Sequence, residues 1–270
     1  MKVVLFCGGL GTRIREFSET IPKPMIPVGH QPILWHVMQY YRDYGHSDFV
    51  LTLGYKANIV KEFFLNYRPQ VFADCVVSGS GANVKFLSEP DEDWRVTLID
   101  TGIWRNIGQR LWAVRHHVKD EEIFLANYSD GLTNANLDDM IARFKQSGKL
   151  ACFLAVQPPL TFHFADIGAD GRVRELRPAS RADMWINAGY FVLRPGIFDY
   201  MNEGEELVVE PFRRLIEADQ LMAYRHEGFF RAMDTLKDRQ ILEELVEQGQ
   251  MPWRIDDGAK SGSRLSIAAL

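Results

Sequence analysis

A glycine-rich run, Gly8-Gly9-Leu10-Gly11-Thr12-Arg13, directly follows a short β-branched stretch, and ten residues beyond Arg13 a lysine stands between two prolines, in Pro22-Lys23-Pro24-Met25. Successive backbone N–H groups of such a turn cradle phosphate oxygens, and the missing side chains let the chain approach a ligand closely. Arg13 adds a planar fork of donors suited to a polyphosphate. The prolines hold Lys23 in one direction, where it can offset charge that develops during phosphoryl transfer. Neither common nucleotide loop fits: Ile14 stands where a dinucleotide fingerprint has its third glycine, Gly54 where that fold wants an acidic residue, and Arg13-Ile14 breaks the P-loop pattern. Taken singly, each segment also reads as a structural turn; their closeness in the chain favours a phosphate site.

Two aspartates are placed to meet such a site. Asp130, in Asn127-Tyr128-Ser129-Asp130-Gly131, follows the apolar run at 122–126 and so stands at the carboxyl end of an expected parallel strand, where open α/β sheets place their ligands. Asp234, in Phe230-Arg231-Ala232-Met233-Asp234-Thr235, lies between an apolar strand and a helix. Two carboxylates with phosphate oxygens and water make a natural magnesium site, because that ion prefers hard oxygen ligands and often keeps waters. The plainer alternatives are a turn residue for Asp130 and a helix N-cap for Asp234. The seven histidines show no metal-ligand spacing, and adjacent His116 and His117 cannot share one helix face. No Gly-x-Ser-x-Gly, His-Glu-x-x-His or Cys-x-x-Cys motif occurs, which argues against serine-hydrolase, zinc-protease and thiol-redox chemistry.

These residues need a scaffold that alternates strands and helices, and the hydrophobic pattern supplies one. Strands are predicted at 2–7, 49–53, 122–126 and 150–156, and helices at 32–44, 56–67, 107–119 and 137–146, an order that implies parallel strands joined by crossovers. After Pro158 and Pro159 short strands are predicted at 163–168, 171–177 and 186–193, forming a smaller, partly antiparallel layer over the edge of the main sheet. Helices at 208–219 and 236–247 close the fold. The expected organisation is one α/β domain over 1–250, followed by a 251–270 tail that is mobile or docked on a neighbouring subunit.

The 270 residues suffice for one sizeable core, and 46% hydrophobic and 25% charged residues are those of an ordinary globular chain. The formal net charge is −5, from 31 Lys and Arg against 36 Asp and Glu, with no basic stripe, so a nucleic-acid partner is not expected. No apolar run reaches 18 residues, so no membrane span is expected. Three isolated cysteines, Cys7, Cys75 and Cys152, fit a reducing cytoplasm and neither a disulfide framework nor a zinc site.

In this order, GGLGTR at 8–13, PKPM at 22–25, PILWHVM at 32–38, DTG at 100–102, IGQRL at 107–111, YSDG at 128–131, WINAGYFVL at 185–193 and MDTLKD at 233–238 closely resemble the sugar-1-phosphate nucleotidyltransferase family, and within it the glucose-1-phosphate cytidylyltransferases. The likeness spans about residues 1–254. It implies a Rossmann-like mixed, mostly parallel sheet flanked by helices, with a smaller β-rich sugar-binding layer. The implied reaction is direct attack of a sugar 1-phosphate on the α-phosphorus of CTP, or of UTP or dTTP, with release of pyrophosphate. By the same resemblance Gly8, Gly9, Gly11, Thr12 and Arg13 wrap the triphosphate, Lys23 reaches its phosphates, and Asp130 and Asp234 hold magnesium. Arg110 is implied as a nucleotide or phosphate contact, and the segment Val77-Ser78-Gly79-Ser80-Gly81 as the place for base recognition. Tyr128, Asn187 and Gly189 resemble the lining of a hexose pocket. Many relatives carry Glu-Lys-Pro for the sugar phosphate; here Glu175-Leu176-Arg177-Pro178 stands, so Arg177 takes that lysine's place. Ala188 also stands where close cytidylyltransferases have glycine. A homo-oligomer is implied by resemblance alone. The rival classes are a nicotinamide dehydrogenase and a regulatory nucleotide-binding subunit that has kept the loop and lost the chemistry.

Overall fold

Strand β1 (Lys2–Phe6) shows how the chain is layered. With a two-residue period its side chains alternate between faces: Val3 and Leu5 join one buried apolar cluster, Val4 and Phe6 the other. Both faces are covered, as a central parallel strand requires. The computed structural model describes residues 1–11, 14, 17, 19–68, 74–79, 83–87, 93–158, 163–178 and 184–255.

After β1 come helix α1 (Ile33–Asp43), β2 (Asp48–Leu53), α2 (Ala57–Leu65), and a hairpin of β3 (Cys75–Ser78) and β4 (Asn83–Phe86). β5 (Arg95–Asp100), α3 (Ile107–Ala113), α4 (Arg115–Val118) and β6 (Phe124–Asn127) follow. Then come β7 (Gly131–Thr133), α5 (Leu137–Ser147), β8 (Ala151–Val156), and a second hairpin of β9 (His163–Ile167) and β10 (Val173–Pro178). β11 (Ile186–Leu193), α6 (Glu210–Glu217), β12 (Leu221–His226), β13 (Phe230–Ala232) and α7 (Leu236–Glu247) complete the series. Local signals set several ends. α1 stops in a Schellman arrangement, with Gly45 at φ +80°, its N–H on the Arg42 carbonyl at 2.7 Å and the His46 N–H on that of Tyr41 at 3.0 Å. At the start of α7, Thr235 and Asp238 form a reciprocal capping box.

The main sheet has the order β12-β8-β11-β6-β1-β2-β5. β1 pairs in parallel with both β2 and β6, so the chain builds outward on one side and then returns to build on the other. The loops after β1 and β6 therefore diverge from a topological switch point, the crevice in which open sheets bind ligands.

Two expectations are corrected here. Segment 186–193 is not part of a separate layer: β11 runs antiparallel between β8 and β6 inside the main sheet. Its last six residues are buried, and an apolar run of that length finds cover only between strands. Segment 107–119 is two helices divided at Val114. Residues 163–167 and 173–178 form a hairpin apart from the main sheet, as the short-strand texture suggested. The chain beyond 250 is anchored as far as Trp253, which is 1% exposed and donates its indole N–H to His36 Nδ1 at 3.3 Å. Residues 256–270 lie outside the described residues. Among the described residues no helix is long and apolar enough to cross a membrane.

Candidate active site

Lys23 reaches the site from a stiff support. Lys23–Met25 form a single 3₁₀ turn, closed by the Met25 N–H on the Pro22 carbonyl at 2.8 Å, with Pro24 and Met25 buried. Arg239 of α7 braces the continuation, donating from Nε to the Pro27 carbonyl at 3.0 Å.

The two aspartates arrive from distant parts of the chain and are joined by a short ladder. β7 and β13 pair antiparallel with Gly131 opposite Ala232, and the Met233 N–H donates to the Asp130 carbonyl at 2.8 Å. This register brings Asp130 and Asp234 to one end of the ladder. Thr235 takes the N-cap position of α7, so Asp234 is not the cap. Asp238 completes the support: it accepts from Thr235 and from Arg231 NH1, the latter at 3.0 Å.

At the centre, Lys23 Nζ donates to Asp130 Oδ2 and to Asp234 Oδ1, each at 2.7 Å. Burial by itself lowers the lysine's proton affinity, but the two carboxylates outweigh it and hold the ammonium's pKa above its ordinary value. The group opens on a cleft of about 450 Å³ that Gly9, Gly11, Tyr128, Asn187, Ala188 and Phe230 also line. A smaller lobe of about 210 Å³, lined by Phe6, Pro24 and Ile107, adjoins it.

The loop after β6 is shaped by its own side chains. Asn127 Oδ1 accepts the Ser129 N–H at 2.6 Å, and Ser129, at φ +63°, ties its hydroxyl to the Phe6 carbonyl at 2.7 Å. Gly189 lies behind Tyr128 at φ +78°, and a β-carbon there would meet the ring at 2.4 Å. The Asn187 carboxamide oxygen accepts the Gly189 N–H at 2.8 Å, which turns Asn187 toward Tyr128. Burial raises the Tyr128 phenol well above its usual range, so it stays protonated as a donor.

Of the residues singled out in the sequence, Gly9, Gly11, Lys23, Tyr128, Asp130, Asn187 and Asp234 line this cleft. Gly189 supports it from behind. Thr12, Arg13, Ser80 and Gly81 lie outside the described residues. Arg110, expected at the nucleotide, is 1% exposed, and its guanidinium donates to the carbonyls of Leu53 at 2.8 Å, Gly8 at 2.9 Å and Ile103 at 3.2 Å and to the Thr101 hydroxyl at 2.6 Å. It binds three loops together beneath the glycine turn. Gly8 has no room for a side chain because a β-carbon would stand 2.0 Å from that guanidinium. Glu175 and Arg177 are both exposed on β10, paired with Asp166 and Phe164 of β9. Neither appears among the described residues that line the cleft, and among the described strands β10 pairs with β9 alone.

Sequence reasoning missed Ser129, Ala232, Phe230 and Asp238. The Asn two residues before Ser129 is a turn signal, and Thr-x-x-Asp at 235–238 is a reduced form of a capping pattern, so two of the four carried a readable cue. Phe230 and Ala232 had none, because only the β7–β13 pairing brings them to the cleft.

A family model described as nucleotidyl transferase matches residues 2–233. A glucose-1-phosphate cytidylyltransferase of Salmonella typhimurium is 40% identical over 94% of this chain and 99% of its own length. A Bacillus subtilis protein named "Probable glucose-1-phosphate cytidylyltransferase" is 35% identical over 94% of this chain and the whole of its own. In fold, the chain is similar to a UTP-bound UGPase from Acinetobacter baumannii, with a TM-score of 0.65, 18% identity, and coverage of 98% and 99% of the two chains.

Proposed function

This chain belongs to the nucleotidyl transferase family, and from that premise we propose that it joins CTP to a hexose 1-phosphate, foremost α-D-glucose 1-phosphate, to give the CDP-sugar and pyrophosphate. The observation that carries the reading is the Lys23 ammonium seated between Asp130 and Asp234 at the mouth of a glycine-walled cleft. Near-full-length likeness to glucose-1-phosphate cytidylyltransferases supports the choice of substrates.

In this reading the sugar phosphate oxygen attacks the α-phosphorus and pyrophosphate leaves from the opposite side. The acceptor already carries a charged oxygen, so the protein's work is alignment and stabilisation of phosphate charge. Gly9 and Gly11 let the backbone close on the triphosphate, with Thr12 and Arg13 as the further phosphate contacts that the sequence suggests. Lys23 neutralises phosphate charge from its stiff turn. Tyr128 and Asn187 bind the hexose, with Gly189 fixing the ring of Tyr128. Arg110 holds the base of the glycine turn.

Asp130 and Asp234 would hold a magnesium ion. Their oxygens converge on one cation already, and among the described residues no cluster of three acidic, histidine or cysteine ligands competes for the role. A two-carboxylate set suits an ion that takes its other ligands from phosphate and water. When bound, that ion supplies charge neutralisation at the triphosphate.

The test is pyrophosphate release with magnesium across CTP, UTP, dTTP, ATP and GTP, each against several sugar 1-phosphates. Dominant turnover with CTP and glucose 1-phosphate is expected. A different preferred sugar is the second reading; Ala188, which adds a methyl to the cleft wall, is the residue that favours it. Nucleotide binding without pyrophosphate release from any pair overturns the enzymatic reading.

A further inference from the structure

The ammonium of Lys23 contacts both carboxylates through a single nitrogen, at 2.7 Å from each, and its side chain is only 14% exposed. The geometry points to Lys23 as the resident cation of the Asp130–Asp234 pair, which a divalent metal ion must displace and which the nucleotide triphosphate releases by offering the lysine its own oxygens. The inference rests on the proposed metal role of the two aspartates and adds a rule for how their site is filled.

Electrostatics forbid simultaneous occupancy in this arrangement. A divalent ion binding Asp130 and Asp234 at about 2 Å would stand within a few ångströms of the ammonium, and two cations at that range repel strongly wherever water is scarce. The pair therefore exchanges one cation for another, and metal alone must pay for the lost ion pair.

The structure provides the lysine with somewhere to go. Prolines and the 3₁₀ turn fix its backbone, but its four-carbon stem can rotate about that anchor. The cleft opens beside it toward Gly9 and Gly11, the wall proposed for phosphate. Lys23 is also the one basic side chain among the described residues that line either lobe. A triphosphate entering there draws the ammonium off the carboxylates and leaves them for the metal. Linkage makes the effect reciprocal: nucleotide strengthens metal binding and metal strengthens nucleotide binding by the same factor.

The experiment measures binding of Mn²⁺ alone, without nucleotide, from the free-ion electron paramagnetic resonance signal. It uses the wild-type chain, Lys23→Met, Lys23→Gln and the double variant Lys23→Met with Asp130→Asn, with circular dichroism to verify that each is folded. Both single variants should bind Mn²⁺ more tightly than wild type, by roughly 5- to 150-fold, the usual span of coupling between sites. The double variant should lose that gain. If neither single variant binds more tightly than wild type, Lys23 is not a competitor and the inference fails, whatever the aspartates do. If the single variants gain affinity and the double variant keeps it, the ion is bound elsewhere, and the metal role of Asp130 falls together with the inference.

Discussion

The floor of the cleft and the β9–β10 hairpin are built by opposite means. The floor is held from several directions: the β7–β13 ladder, the α7 capping box and the Asn127–Ser129 turn position the two aspartates, and the buried Arg110 lies beneath the glycine turn. Among the described strands the hairpin pairs with itself alone, and Ile167, Val173 and Leu176 are exposed on it. The β3–β4 hairpin is alike, with Val76, Val77 and Val84 exposed. The chemistry proposed for Lys23 and the two aspartates sits where the core decides positions, whereas the elements expected to read base and sugar phosphate are exposed hairpins. Buried support makes a site intolerant of change; an exposed two-stranded ribbon tolerates it.

The contrast is sharpest at Asp130. Asp130→Asn keeps shape and removes one charge, so turnover should fall on the order of a hundred- to a thousandfold. The melting temperature should move by no more than about 4 °C. Pyrophosphate release and a thermal melt on the same sample check both, and normal magnesium-dependent turnover would remove Asp130 from the chemistry.

Gly189→Ala probes the support behind the floor. Its positive φ disfavours any β-carbon, and the ring of Tyr128 stands in the way. Together these should cost about 2–4 kcal/mol, read as a lowered urea midpoint. An unchanged midpoint would mean that the floor is softer than its hydrogen bonds imply.

Acid should loosen the same rigid body through His36. Burial holds this imidazole at about 4, below its ordinary 6.5, with its ring nitrogens facing the Val28 carbonyl and the Trp253 indole. Between those two pH values the unfolded chain takes up a proton that the native chain refuses, so stability falls as pH falls through that window. The contribution is on the order of 3 kcal/mol. Urea unfolding from pH 7 to pH 4 should show a steeper loss in wild type than in His36→Gln; equal slopes would assign the acid sensitivity to other groups.

The smallest effect is expected on the hairpin. Arg177→Ala should change KM for the sugar 1-phosphate by less than about threefold, because the side chain is exposed and does not line the cleft. A tenfold rise in KM at constant kcat would show that the hairpin reaches the substrate during turnover, and the contrast between the two regions would fail.

Amino-acid order alone determined whatever depends on near neighbours. β1 is legible from Lys2–Phe6, α1 from its apolar spacing and Gly45, and α7 from its hydrophobic period, while the glycine turn beside a proline-fixed Lys23 raises the expectation of a phosphate site. The edge strands β5 and β12 were not legible: with one side against the sheet and much of the rest toward solvent, their alternation is weak. Tertiary structure alone decided that Asp130 and Asp234 share one ammonium, that Arg110 lies buried beneath the glycine turn, and that β11 enters the main sheet in reverse. The physical reason is common to all three. Backbone propensity and hydrophobic period are properties of a short window, but a register between β7 and β13, or the four acceptors of a buried guanidinium, exist only after distant segments have packed.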